Sequence, residues 1–379
     1  TLQAGLNLSE GPLIRVAFFD LGAHQPSRLL IVIHHLAVDG VSWRILLEDL
    51  HTGYQQLSRG EAVRLPPKTT SFKCWAEKLT EYAQSGVLSQ ELDYWLGEPR
   101  QRAHRLPLDH PGGTNTVQSS QMVQVWLTPE ETHALLHKVP EAYNTQINDV
   151  LLTALVQAFA RWSGVRSLLI DLEGHGREQL VDGVDPWRTV GWFTTHFPVQ
   201  LDLGRATNPG DALKSIKEQL RAIPNRGIGY GLLRYLSGNT DLAERLRALP
   251  QPVVCFNYLG QFDQTLPDSS PFAVARESGG PSQSLRGHRS YLLYVSGGII
   301  EGRLQLTCLY SENLYRRATI ADLTQGMVAA LRALIAHCQS AEVGDYTPSD
   351  FALAALDEQK LRKISGLLEE IDAAEEEVL

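Results

Sequence analysis

Two adjacent histidines, His34 and His35, follow the apolar run Arg28 to Ile33, and Asp39-Gly40 comes shortly after them. Imidazole titrates near neutral pH and can take or give a proton in catalysis. Side chains alternate along an extended chain, so the pair is expected on opposite sides, one ring facing a cavity and the other packing. The Asp39 carboxylate is near enough to orient a ring nitrogen or to pair with an arginine. No metal site is expected here, because neighbouring histidines on a strand cannot share an ion as an i, i+4 helical pair does. For an arbitrary pair, half-burial at a strand end is the better reading. The succession of strand, two histidines, Asp-Gly and amphipathic helix favours a functional one.

A second group is Glu173-Gly174-His175-Gly176-Arg177-Glu178, placed where the apolar run Ser167 to Leu172 ends. Two glycines let the backbone approach a ligand while Glu173 sits at the strand tip. A carboxylate at the rim of an apolar cleft can work as acid or base. Taken alone, the string reads better as a solvated charged loop.

Three further strings are unusual for plain loops: Val190-Gly191-Trp192-Phe193-Thr194-Thr195-His196-Phe197-Pro198, Asn225-Arg226-Gly227-Ile228-Gly229-Tyr230-Gly231 and Cys255-Phe256-Asn257-Tyr258-Leu259-Gly260-Gln261. The glycine-spaced turn lacks the Lys-Ser/Thr of a nucleotide loop. Asn257 and Tyr258 need hydrogen-bond partners if buried, and Tyr258 can donate to an oxyanion.

The elements that must position these groups follow from periodicity. Arg28 to Ile33 predicts a buried strand, and Trp43, Leu46, Leu47, Leu50, Tyr54 and Leu57 recur at the helical period behind it. A second helical stretch is expected over about Ser71 to Leu96. Residues 106 to 120, rich in Pro, Gly, Ser, Thr and Asn, mark a crossing between two lobes. Beyond it, strands are predicted at 121–127, 167–172, 197–201, 253–258, 291–296 and 304–310, with helices at 129–137, 147–162, 209–222 and 320–337. Thr128 before Pro129 is a helix-start signal. The mixture predicts an α/β or α+β fold. The tail from Asp357 starts amphipathic and ends acidic, as a helix running into a linker would.

The chain has 379 residues, 43% apolar and 20% charged, with 34 Lys plus Arg against 43 Asp plus Glu and a net charge of −9. That balance argues against nucleic-acid binding, which needs a basic face. No apolar run approaches a membrane span and the first residues do not read as a secretion signal, so a cytoplasmic location is expected. Cys74, Cys255, Cys308 and Cys338 lie far apart and read as buried small hydrophobes, with no sulfur chemistry expected.

Taken together, the strings resemble the epimerization domain of nonribosomal peptide synthetases, a relative of the condensation domain and of chloramphenicol acetyltransferase. The resemblance lies in His34-His35-x-x-x-Asp39-Gly40-Val41-Ser42-Trp43-Arg44-Ile45-Leu46, in Glu173 to Glu178, in Val190 to Pro198, in Gly227 to Gly231, in Phe256 to Gln261 and in Tyr310 to Leu314. The double-histidine string is shared with condensation domains and simple acyltransferases. Its continuation Val-Ser-Trp-Arg-Ile-Leu and the Glu173 string favour epimerization. The family carries a longer front ahead of the double histidine than the 33 residues found here, so the chain is expected to start inside the first lobe.

The resemblance implies a two-lobed, chloramphenicol acetyltransferase-like α/β fold, a V-shaped pseudo-dimer with the site between lobes. The divisions expected are an N-terminal lobe over 1–110, a C-terminal lobe over 111–345, and a helix and linker to the next synthetase unit over 346–379. The implied enzyme is a cofactor-independent isomerase that inverts the α-carbon of an aminoacyl or peptidyl thioester on a carrier's phosphopantetheine arm. His35 and Glu173 would exchange the α-proton and Tyr258 and Asn257 would place the thioester. Asp39 would hold the loop, Arg177 would orient Glu173 or the substrate, and His34, Gly40 and Trp192 complete the candidate set. The implied partners are an upstream carrier domain and a downstream condensation domain. The rival readings are a condensation-type acyltransferase forming a peptide bond and a non-catalytic recruitment module of the same fold. A pyridoxal-phosphate racemase would need a Schiff-base lysine in a phosphate-binding string, and none of the eight lysines has one.

Overall fold

The apolar run ahead of the double histidine pairs with a strand that the periodicity leaves unassigned: β1 (Ile14–Phe19) runs antiparallel to β2 (Arg28–Ile33). Ile14, Val16 and Phe18 share one face of this ribbon with Leu29, and all four are exposed. A computed structural model of the chain describes residues 2–97, 104–261, 270–340 and 346–354. The tail expected from Asp357 lies outside the described residues.

After β2 the chain turns through the double histidine into α1 (Gly40–Ser58), whose N-cap is Asp39. The single helix expected over about 71–96 is broken. Ser71 caps α2 (Phe72–Gln84), Gly86 takes a left-handed conformation (φ 81°), and the chain resumes through a short 3₁₀ turn into α3 (Leu92–Leu96). Glycine holds that conformation without a Cβ penalty, which lets Trp75, Leu88 and Trp95 all reach the core.

The larger part of the molecule is a six-stranded mixed sheet in the order β3-β8-β7-β6-β4-β5, built from β3 (Ser120–Trp126), β4 (Ser167–Gly174), β5 (Thr195–Asp202), β6 (Val254–Gln261), β7 (Leu293–Ile300) and β8 (Arg303–Ser311). The β4–β6 and β6–β7 pairs are parallel and the others antiparallel. Alternation sorts the two faces. Leu168, Ile170, Leu172, Phe197, Val199, Val254, Phe256, Leu293, Val295, Leu304 and Leu306 turn to one side and are buried. Asp171, Glu173, His196, Asn257 and Tyr294 are placed by the same alternation on the other, and all are half-buried.

The apolar side is covered by α4 (Pro129–Tyr143), α5 (Ile147–Ser163), α6 (Pro209–Arg221) and α9 (Arg317–Cys338). Thr128 opens α4 with a capping box to Glu131, as the sequence signals, and the helix continues through Pro140 to Tyr143. Helix α9 is long and apolar enough by composition to cross a membrane, but Ile320, Leu323, Met327, Leu331 and Leu334 are buried in the core. Two helices that the sequence reading does not bound, α7 (Ile228–Tyr235) and α8 (Thr240–Ala248), pack beside β5 and α3. Residues 106–120 run along the second lobe, where Asp109 and His110 bond the Leu314 carbonyl.

Candidate active site

The two halves are joined where Asp39 meets the Glu173 loop. Its Oδ1 accepts from the Ser42 backbone N–H at 2.7 Å, capping α1, and from the Arg177 guanidinium at 3.1 Å; Oδ2 accepts from the Phe193 N–H at 3.0 Å. Arg177 also donates to the Ser42 hydroxyl and the Thr189 carbonyl, while the Ser42 hydroxyl donates to the Gly191 carbonyl at 2.9 Å. Arg177 and Asp39 are 1% and 3% exposed. Burial pulls the Arg177 guanidinium down from its ordinary pKa, and the Asp39 charge opposes that shift. Arg177 also lies 3.9 Å from the centroid of the Phe193 ring, where a desolvated cation is stabilised by the ring's electron-rich face. Asp39 therefore caps α1 and clamps the Glu173 loop. Arg177 bonds Asp39, Ser42 and Thr189 rather than Glu173.

The two histidines precede this clamp in the chain. His34 is extended, and its Nδ1 accepts from the Leu36 N–H at 3.1 Å, capping the 3₁₀ turn His35–Ala37. His35 is exposed, with its ring 5.0 Å from that of Trp192. The two rings thus differ through a turn rather than through continued strand alternation: His34 caps the turn and His35 lies exposed beside Trp192. Gly40 opens α1 with open space where a Cβ would be.

Glu173 lies at the end of β4. Its Oε2 accepts from Asn257 Nδ2 and its Oε1 from the Tyr294 hydroxyl at 2.9 Å, with the Cys255 thiol at 3.7 Å. These donors come from β6 and β7, brought alongside by parallel pairing that sets Asp171 opposite Cys255 and Cys255 opposite Tyr294. Across the antiparallel edge, His196 is the register partner of Glu173. Burial raises the Cys255 thiol and the Tyr294 phenol above their usual ranges, and the Glu173 charge beside them adds to both shifts. Tyr294 is absent from the sequence expectations and His196 enters them only as a position in the Val190–Pro198 string, because only strand pairing brings both to Glu173.

Tyr258 follows Asn257 and turns to the other face of β6, its ring against the position of Gly297. Burial raises its phenol above the usual range, and Arg44 on α1 opposes the shift. The same Arg44 donates to the Leu259 carbonyl at 3.1 Å, so α1 touches the end of β6 directly. The pair expected to hold a substrate together is divided: Asn257 accompanies Glu173, and Tyr258 packs against the core from the other face of β6.

The loop itself depends on Gly176. At φ 67° it passes so close to the chain ahead of β5 that a Cβ would lie 1.7 Å from the Phe193 carbonyl oxygen. His175 and Glu178 pair at 3.3 Å, with Trp187 against the His175 ring.

The condensation-domain family matches residues 1–356 of the sequence. The chain belongs to the condensation-domain family. Among relatives, a linear gramicidin synthase of Brevibacillus parabrevis is 50% identical over 367 residues, which are 96% of this chain and 5% of that protein. The chain thus spans a small part of the curated relatives it matches. The crystal structure of the epimerization domain from the third module of tyrocidine synthetase B is similar with a TM-score of 0.83 at 38% identity, covering 89% of this chain and 75% of that one. The first condensation domain of the CDA synthetase has a TM-score of 0.62 at 20% identity, covering 88% and 70%, a likeness of fold alone. The condensation-domain match bears out the mixed α/β, two-lobed, chloramphenicol acetyltransferase-like architecture expected from the motifs.

Proposed function

We propose that this condensation-family domain epimerizes the α-carbon of an aminoacyl or peptidyl thioester tethered to a carrier's phosphopantetheine arm. The observation that carries the reading is the Glu173 carboxylate, steered by Asn257 and Tyr294 at the mouth of the sheet, on a chain whose likeness to a solved epimerization domain exceeds its likeness to a condensation domain.

Epimerization needs a base for the weakly acidic α-proton and an acid that returns a proton from the opposite face. It also needs a donor to the developing enolate oxygen. A carboxylate has about four acceptor positions. The donors from Asn257 and Tyr294 fix the group's direction and leave positions for the α-proton. His35, beside Trp192 and free of the capping duty that occupies His34, is the second acid–base group. Its roles with Glu173 reverse for the other enantiomer. Tyr258, held protonated by burial, is a donor candidate for the thioester arm on the Arg44 side of β6. The chemistry requires no resident cofactor, since the phosphopantetheine arm arrives with the carrier. The partners are an upstream carrier domain and a downstream condensation domain.

The test is the chirality of the product released from one loaded carrier with no second substrate present. A mixture of L and D product supports epimerization; wholly L product, with peptide bond formation when an acceptor is added, supports the acyltransferase instead.

A further inference from the structure

Glu173, His196 and Cys255 come from three adjacent strands, β4, β5 and β6, and present a carboxylate oxygen, an imidazole nitrogen and a thiol whose atoms all lie within 4.8 Å of one another. The Cys255 sulfur is 3.7 Å from Glu173 Oε1. The Nδ1 of His196 is buried without a hydrogen-bond partner, which is unfavourable for a polar atom that cannot reach water. Zinc-type ions bind these three donor classes at about 2.0–2.3 Å in tetrahedral geometry, which sets donors about 3.3–3.6 Å apart. The observed cluster, with its atoms within 4.8 Å of one another, is somewhat wider than that spacing, and three protein ligands leave a fourth position open.

We propose that Glu173, His196 and Cys255 form a binding site for a divalent zinc-type ion, and that its occupation silences the domain by engaging Glu173. On binding, the Cys255 thiol gives its proton to solvent and the sulfur takes its place on the metal, while the ion exchanges water for the three ligands. The inhibition rests on the acid–base role proposed for Glu173; the binding does not. The site would make the domain sensitive to free zinc through the same carboxylate that handles the α-proton.

Cobalt(II), added to the full chain at one equivalent, reports the site without reference to activity. The expected spectrum has a thiolate-to-cobalt charge-transfer band together with the visible bands of four-coordinate cobalt. Cys255→Ser abolishes the charge-transfer band, His196→Ala weakens cobalt binding at least tenfold, and zinc displaces the cobalt. A wild-type spectrum without the band, or a band that survives Cys255→Ser, overturns the site. In a separate arm, zinc slows α-proton exchange on a carrier-loaded substrate and a chelator restores it, each variant being compared with its own metal-free rate. Exchange that proceeds undiminished while the thiolate band is present overturns the inhibition.

Discussion

The Asp39 carboxylate and the Arg177 guanidinium, 138 positions apart in sequence, meet at 3.1 Å in a buried contact that ties the double-histidine turn to the Glu173 loop. Breaking such a pair from one side strands a charge away from water. Arg177→Ala is expected to lower stability by about 3–5 kcal/mol, measured by urea denaturation. Adding Asp39→Ala should cost less than the sum of the single changes, because neither charge is then left alone.

The aim of Glu173 depends on Tyr294. Tyr294→Phe keeps the ring and removes the donor to Oε1. A hydrogen bond to a charged group contributes about 1.5–3 kcal/mol, so α-proton exchange should slow about 10- to 100-fold. Substrate affinity should change little, since the phenol positions the base rather than the substrate. Single-turnover exchange on a loaded carrier, read beside the binding constant of the carrier, separates the two.

Gly176 and Gly40 make a matched pair. Gly176→Ala forces a Cβ onto the Phe193 carbonyl at positive φ and should destabilise by about 2 kcal/mol or more. Gly40→Ala meets open space at a helix start and should stay within about 0.5 kcal/mol of wild type. Thermal denaturation of both variants checks the contrast.

Several buried phenols and thiols keep their protons longer in the folded chain. Burial raises Tyr258, Tyr291, Tyr294 and Tyr315, and pushes the Cys308 thiol up to about 12 and the Cys338 thiol up to about 11. In the unfolded chain these groups ionise near their ordinary values, about 8.5 for Cys and 10 for Tyr. Their contribution to stability is thus fully present below those values and is lost as pH climbs toward the folded ones, because the unfolded state gives up its protons first. The urea midpoint should fall steadily from about pH 8.5 to about pH 11; a flat profile would speak against this burial.

How much of this is legible in the sequence depends on how local each feature is. His35, Asp39 and Glu173 sit in short strings whose residue types carry their chemistry, and the resemblance assigns them roles. Tyr294 stands in a string with no marker of its own and His196 is an unassigned position in the Val190–Pro198 string, and only the order β7-β6-β4-β5 brings them beside Glu173. The strands of the large sheet are predictable because one face of each is apolar. Ile14–Phe19 is harder, since its alternating apolar residues remain exposed and mimic a surface segment. Arg177 illustrates the limit most clearly: the string around it carries a functional signature, but its own partner is Asp39 in the other half of the molecule.

The central claim, that His35 and Glu173 exchange the α-proton between them, is tested by loading a carrier with an L-amino acid in deuterium oxide and following deuterium at the α-carbon. Wild type should incorporate deuterium and yield both enantiomers, while His35→Ala and Glu173→Gln should each lose most of that exchange with the fold intact. Wild-type exchange retained in both variants would contradict the account.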